Sequence, residues 1–367
     1  MRIAVIGGGV AGLCAAWRAR TLGAEVVLLE ASSRLGGQIL TEGLSDCLLE
    51  HGAEGFVANS EALHSVCNGL DLAGEVIAQT TTRALLAEGG ALRELPRGEA
   101  GRRLGIQARA SDWGRGLQSL RGGMSHLVEA LAAAIGQRHI ELSAPVEAIT
   151  PMGGEPSGGW RIHVASAASF EAGGVIVALP GAAAGMVLGE VDPGVAGWLR
   201  SLETVSSLSV TLVVARDQVD HALDATGFVV GNTVTPDGLR ACAFSSTKFA
   251  GRAPPDRCVL RVFYRPPADG VGPPETWVRR TRDYLGRVIG LNGEPEHARV
   301  VSWPAAISRY APDHQASVAA SFESLQRRGR IALAGAAVAR SGLDGAVRSG
   351  WAAAEAVLQL GSKVTTP

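Results

Sequence analysis

Continuous apolar runs of strand length occur near both ends of the chain and at its centre, at residues 3–6, 25–29, 174–179 and 331–334. Runs without polar alternation read as strands covered on both faces, as in a parallel sheet. Helical segments accompany them: from the glycines at 7–12 to about residue 22, over 60–70, and from a turn through 335–345 to about residue 360. Leu127, Val128, Leu131 and Ile135 mark a further helix after Gly122-Gly123, and their single stripe reads as core.

The middle of the chain changes period. Residues 83–87 and 91–95 read as a hairpin around Glu88-Gly89-Gly90, stopped by Pro96. Residues 97–116 are rich in arginine and glycine and read as a connector. Strands are expected over 140–149 and 160–164, around a Gly/Pro turn. Four more runs, 208–214, 227–230, 241–245 and 258–264, predict a second sheet. A helix with Trp277, Val278, Tyr284, Leu285, Val288 and Ile289 on one side follows, then a polar loop around Trp303. Residues 50–56 read as a polar, flexible loop. This order predicts an α/β protein in which a Rossmann-like nucleotide domain (1–82, 118–182 and 329–367) is interleaved with a smaller sheet-plus-helix substrate domain. The substrate domain takes 183–328, together with the hairpin and short connector of 83–117.

The first apolar run leads into Gly7-Gly8-Gly9-Val10-Ala11-Gly12, where Gly7, Gly9 and Gly12 have the GxGxxG spacing between strand and helix. Gly7 permits the turn, Gly9 admits a pyrophosphate to the backbone, and Gly12 lets helix and strand pack closely, with the helix N-terminus facing the phosphates. The second strand ends in Glu30, 18 residues after Gly12, where a carboxylate accepts hydrogen bonds from an adenosine ribose. Arg34, Gly36 and Gly37 follow directly and supply a second phosphate contact of the kind found in two-dinucleotide-binding flavoproteins. FAD is therefore expected rather than NAD.

Composition narrows the alternatives. With 46% hydrophobic and 19% charged residues, 367 residues can bury a large core. A net charge of -1 without a basic cluster gives no footprint for nucleic acid or an anionic membrane surface. Cys14, Cys47, Cys67, Cys242 and Cys258 lack CxxC spacing and read as buried thiols in a reducing compartment. No export signal and no membrane span are apparent, so a cytoplasmic protein is expected. Among 34 basic residues only Lys248 and Lys363 are lysines. His51 has no neighbour at metal-ligand spacing, and no metal is expected.

Several motifs together resemble the protoporphyrinogen oxidase family, FAD enzymes of heme synthesis that include coproporphyrinogen-oxidising bacterial members within the amine oxidase-like flavoproteins. They are Ser119-Leu120-Arg121-Gly122-Gly123, the stretch Phe244-Ser245-Ser246-Thr247-Lys248-Phe249 with Arg252-Ala253-Pro254, Trp303-Pro304 with Tyr310, and Gly342-Leu343 with Arg348-Ser349-Gly350. The resemblance implies noncovalent FAD held by Gly7, Gly9, Val10, Ala11, Gly12, Glu30, Arg34, Gly36 and Gly37. It further implies Val146 near the adenine, and Trp303, Gly335, Gly342 and Val347 on the flavin side. It implies oxidation of a porphyrinogen by successive hydride transfers to flavin N5, with molecular oxygen or another acceptor restoring the cofactor. Such chemistry rests on placement, and no catalytic acid or base is assigned.

Arg83, in Arg83-Ala84-Leu85, is similar to a family arginine that pairs with a substrate propionate, and a guanidinium fork suits a carboxylate. The family's long helical insertion, which supplies substrate-pocket and membrane-facing surface, is reduced here to residues 97–117. Two alternatives stay open: an amine oxidase or desaturase-like enzyme acting on a smaller metabolite, for which Lys248 is the non-terminal lysine, and a noncatalytic flavin-binding protein.

Overall fold

The computed structural model describes residues 1–105, 116–153, 158–165, 168–231, 238–266, 270–339 and 342–359. The apolar runs form a five-stranded, all-parallel sheet in the order Ile140–Glu141, Glu25–Leu29, Arg2–Ile6, Gly174–Val177, Ile331–Leu333. Both faces are covered, as the lack of polar alternation requires. On one face the helix Val10–Thr21 packs between the helices Ser125–Ile135 and Leu343–Gln359. On the other lie the antiparallel strands Val146–Pro151, Trp160–Val164 and Phe170–Ala172 and the helices Gly181–Val187 and Pro193–Ser201.

A seven-stranded sheet forms the second layer, in the order His297–Ser308, Thr204–Ala215, Arg257–Tyr264, Leu239–Phe244, Gly227–Val230, Leu85–Glu88, Ala91–Glu94. The hairpin expected from the sequence is its edge, and Leu85–Glu88 pairs in parallel with Gly227–Val230. The helix Pro274–Ile289 covers it, burying Trp277, Leu285 and Ile289. Among the described residues no helix is long and apolar enough to cross a membrane.

Four local expectations are corrected. Trp303 lies within the strand His297–Ser308, whose residues are largely half-buried or exposed. A strand held by one neighbour carries no apolar signature, and pairing with Thr204–Ala215 makes it. The run 140–149 breaks into two strands belonging to different sheets, because Ser143 turns with φ 53°. Residues 50–56 do not form a flexible polar loop: Glu50 ends the strand Cys47–Glu50, and Glu50 and His51 are buried and hydrogen-bonded. Its partner strand, Thr41–Leu44, turns through Ser45 and Asp46, both at positive φ. The connector contains the short helix Glu99–Leu104 and ends in the strand Leu117–Leu120, while residues 106–115 of it lie outside the described residues.

The layers meet through backbone contact. A Cβ on Gly12 would overlap the Gly7 carbonyl, and one on Gly350 would overlap the Ala11 carbonyl, so the first and last helices touch main chain to main chain. Gly350→Val should destabilise the protein by about 1 to 3 kcal/mol through overpacking. Urea denaturation followed by circular dichroism checks this, and an unchanged midpoint would show that the two helices can separate without cost.

Candidate active site

The strand Arg2–Ile6 ends at Gly7, whose φ of 107° suits glycine and turns the chain beneath the helix Val10–Thr21. That helix has no side-chain cap and no acid in its first turn, so its leading N–H groups are free for an anion. Nothing lies within 4 Å of the point where a Gly9 side chain would begin. This open cradle beside uncapped amides fits a pyrophosphate. The loop carrying Gly36 and Gly37 closes on it: Gly36 N–H donates to the Gly8 carbonyl at 2.8 Å, and a Cβ on Gly37 would stand 3.2 Å from Gly9 Cα. Glu30 accepts from Gly8 N–H at 2.6 Å and from Ser32 N–H and Oγ at 2.8 Å. Its carboxylate is thus fixed at the cradle's edge.

The remaining sequence-predicted positions divide into two groups. A Cβ on Gly335 would stand 3.7 Å from Ala11 Cβ, and Gly335 N–H donates to Ser349 Oγ at 3.0 Å, so the C-terminal turn meets the glycine motif. Gly342 adopts φ 99° just before the last helix, and Val347 is fully buried within that helix. Val146 is half-buried against the core on the opposite face of the sheet, beside Leu29 and Ala144. Arg34 donates to the carbonyls of Leu35, Gly37 and Ile39 and stands 5.8 Å above the Trp303 ring. It braces its loop through the backbone.

Trp303 donates through Nε1 to the His51 carbonyl at 2.8 Å, and the buried Arg261 donates to the carbonyls of His51 and Gly52. The segment 51–55 is therefore clamped between the substrate-side sheet and the nucleotide loop, where Ala53 N–H meets Gln38 O at 2.9 Å. His51 itself bonds Glu42 at 2.8 Å, and Arg299 grips the same carboxylate. Burial pushes the His51 imidazole below its usual pKa, against the pull of Glu42.

From this segment opens a cavity of about 840 Å³, walled by the hairpin, the connector helix and the seven-stranded sheet. Its lining includes Arg97, Arg102, Arg103, Arg240, Arg265 and Arg309. Against these six stands, among the described residues, one carboxylate, Glu54, bonded to Lys248 in the same wall. Arg97, Arg240 and Arg265 make no ion pair among the described residues, and burial together with the nearby Arg265 lowers the Arg240 pKa. Arg83 is held by Glu94 at 2.9 Å and by Asp224, and it does not line the cavity, although Thr82 and Ala84 do. Sequence reasoning missed Arg240 and Arg261, yet each interrupts an apolar strand, in Leu239-Arg240-Ala241 and Leu260-Arg261-Val262, which was a readable signal.

A parallel sheet with a glycine cradle at its switch point, joined to a second sheet that walls a ligand-sized cavity, is the arrangement of a dinucleotide-binding protein with a separate ligand pocket. The chain belongs to the family of flavin containing amine oxidoreductases, whose profile matches residues 84–358, and an NAD(P)-binding Rossmann-like domain profile matches residues 5–70. It is 22% identical to a coproporphyrinogen III oxidase of Propionibacterium freudenreichii subsp. freudenreichii, over 97% of this chain and 90% of that one. That alignment runs over 488 positions against 367 residues here, so the relative carries insertions that this chain lacks. In fold the chain is similar to a crystal structure from Exiguobacterium sp. 255-15 described provisionally as a protoporphyrinogen oxidase (TM-score 0.81, 20% identity, 97% of this chain and 98% of that one). It is also similar to cyclohexylamine oxidase from Brevibacterium oxydans IH-35A (TM-score 0.73, 15% identity, 98% of each chain).

The five cysteines are all buried, and Cys14, on the helix that packs against the last one, has its thiol pushed above its usual pKa by burial, which disfavours the thiolate a flavin tether needs. Purified protein should be yellow and release its FAD intact on denaturation, as absorbance of the protein-free supernatant will show. Flavin that stays with the peptide would contradict noncovalent binding.

Proposed function

We propose that this oxidase acts on a porphyrinogen carrying several carboxylates, coproporphyrinogen in preference to protoporphyrinogen, and delivers the porphyrin. The observation that carries this reading is the cavity wall, in which Arg240 and Arg265 stand close together without a counter-ion among the described residues. Arg240 is half-buried and Arg265 exposed beside it; two adjacent cations repel each other, and a carboxylate between them removes that repulsion while forming charge-assisted bonds. A substrate with four propionates meets this wall better than one with two. A cationic amine is repelled, and Lys248, the residue an amine-oxidase reading would need, is engaged by Glu54.

When bound, FAD supplies the hydride acceptor, and oxygen or another acceptor restores it. The chain's own contribution is orientation. The arginines hold the substrate periphery, and the clamped segment 51–55 fixes the wall between cofactor and cavity. Arg83, already shared by two carboxylates, is assigned a weaker propionate contact than Arg240. The absence of a long apolar helix among the described residues accords with turnover without detergent, in the cytoplasm.

Anaerobic mixing with each porphyrinogen should bleach the flavin, faster with the tetracarboxylate. A flavin bleached by neither, but by a primary amine, would replace this reading with the small-metabolite oxidase. Arg240→Ala should raise KM about tenfold or more, the equivalent of roughly 1.5 to 3 kcal/mol for a charge-assisted pair, with FAD content unchanged. Arg83→Ala should raise it less, and Arg83→Lys should restore part of that loss. An Arg83→Ala enzyme with unaltered steady-state kinetics would remove Arg83 from the site.

A further inference from the structure

Among the described residues Glu54 is the one carboxylate in a cavity wall whose other charged side chains are all cations, and that placement needs a reason. Glu54 and Lys248 are both nearly enclosed, with side chains 13% and 12% exposed. Lys248 donates to Glu54 Oε1, while Oε2 accepts no hydrogen bond from the described residues. Behind the pair, Ser119 Oγ donates to the Glu54 carbonyl at 2.8 Å and itself receives buried Arg252 at 2.7 Å. The backbone of Glu54 is therefore fixed, and its segment packs directly on the nucleotide loop through Ala53 and Gln38. Glu54 stands at the junction of cofactor site and cavity.

Resting on the porphyrinogen reading above, we infer that Glu54 is a substrate-contacting residue whose free carboxylate oxygen accepts the macrocycle's central N–H groups and stabilises the cation formed there as each hydride leaves. In each two-electron step a meso C–H bond breaks and the hydride passes to the oxidised cofactor, leaving the positive charge delocalised onto pyrrole nitrogen. In two of the three steps an N–H bond then breaks and its proton passes to water; in the remaining step the proton leaves the fourth meso carbon instead, so four C–H and two N–H bonds are lost in all and the porphyrin keeps two N–H groups. A fixed anion beside the developing charge lowers the barrier without being consumed. Burial alone would raise the Glu54 pKa, but Lys248, Arg261 and Arg252 outweigh it and hold the carboxyl below its usual range, so the anion persists through the reaction. The wall thus mirrors the charge pattern of its ligand, cationic where the propionates lie and anionic where the N–H groups lie.

The test uses the FAD-loaded full chain. Glu54→Gln should slow anaerobic bleaching by saturating coproporphyrinogen on the order of 10²-fold, as for loss of one charge-stabilising group, while coproporphyrin affinity and FAD content change far less. Arg240→Ala should show the reverse split, with weaker coproporphyrin binding and a nearly normal rate at saturation. A redox-inert readout accompanies these. Bound coproporphyrin should protonate at its central nitrogens at higher pH on the wild type than on Glu54→Gln, seen in its visible bands, because a neighbouring anion favours the cation.

Lys248→Met provides the second variant. Without that cation burial raises the Glu54 pKa, so the required anion is lost as pH falls, and the acidic limb of the bleaching rate should move to higher pH than in the wild type. Glu54→Gln bleaching at the wild-type rate, or an unmoved limb in Lys248→Met, would overturn the assignment. If wild-type flavin is bleached by neither porphyrinogen, the porphyrinogen reading itself fails, and that outcome is distinct from either.

Discussion

Close main-chain approach is the constraint on which the molecule is built. Gly12 against Gly7, Gly37 against Gly9 and Gly350 against Ala11 bring four backbone segments together where a single methyl group would intrude. Packing at that distance gathers the first strand, its helix, the second glycine loop and the last helix around one opening. It leaves an edge of uncapped amides facing outward. The nucleotide site is thus the space that remains when side chains are excluded from a crossing point. Its anion preference follows from the amides so exposed.

The substrate side rests on the opposite device, charges held inside an apolar sheet. Arg261 projects from the centre of the strand Arg257–Tyr264 and spends its guanidinium on the carbonyls of His51 and Gly52. Arg252 does the same for Ser119, Leu120 and Arg121. Burial makes each cation costly, and the hydrogen bonds it donates offset that cost while joining segments distant in sequence. The cavity arginines differ in that no acid answers Arg97, Arg240 or Arg265 among the described residues, so their charge remains available to a ligand. The chain as a whole is close to neutral, so the excess of cations in this wall is local.

The parallel sheet, the glycine cradle and the hairpin were legible because each depends on local pattern: unbroken apolar runs, fixed glycine spacing, a Gly-Gly turn. The strand around Trp303 was not, since its outward positions are polar and only its partner strand makes it extended. The buried hinge at Glu50 and His51 was hidden for a related reason. Its residues look solvated, and they are covered by segments more than two hundred residues away, through Arg261 and Trp303. Arg83 shows the same limit from the other side. A motif can identify the strand on which an arginine sits, but Asp224, remote in sequence, helps decide what its guanidinium meets.

The parallel pairing of Leu85–Glu88 with Gly227–Val230 reaches beyond the native structure into how it is attained. That pair joins segments flanking two strands of the nucleotide sheet's own chain path, so neither layer is a contiguous stretch of polypeptide. Such non-local pairing requires loop-closure entropy to be met before contacts reward it, which slows folding. During synthesis the hairpin emerges long before Gly227–Val230 does, with its inner edge unpaired, and the parallel sheet waits still longer for Ile331–Leu333. An unpaired strand edge is a template for the wrong neighbour. Arg93 and Glu94 lie on the outer strand Ala91–Glu94, which stays an edge of the finished sheet, and charges on such an edge discourage pairing with another chain.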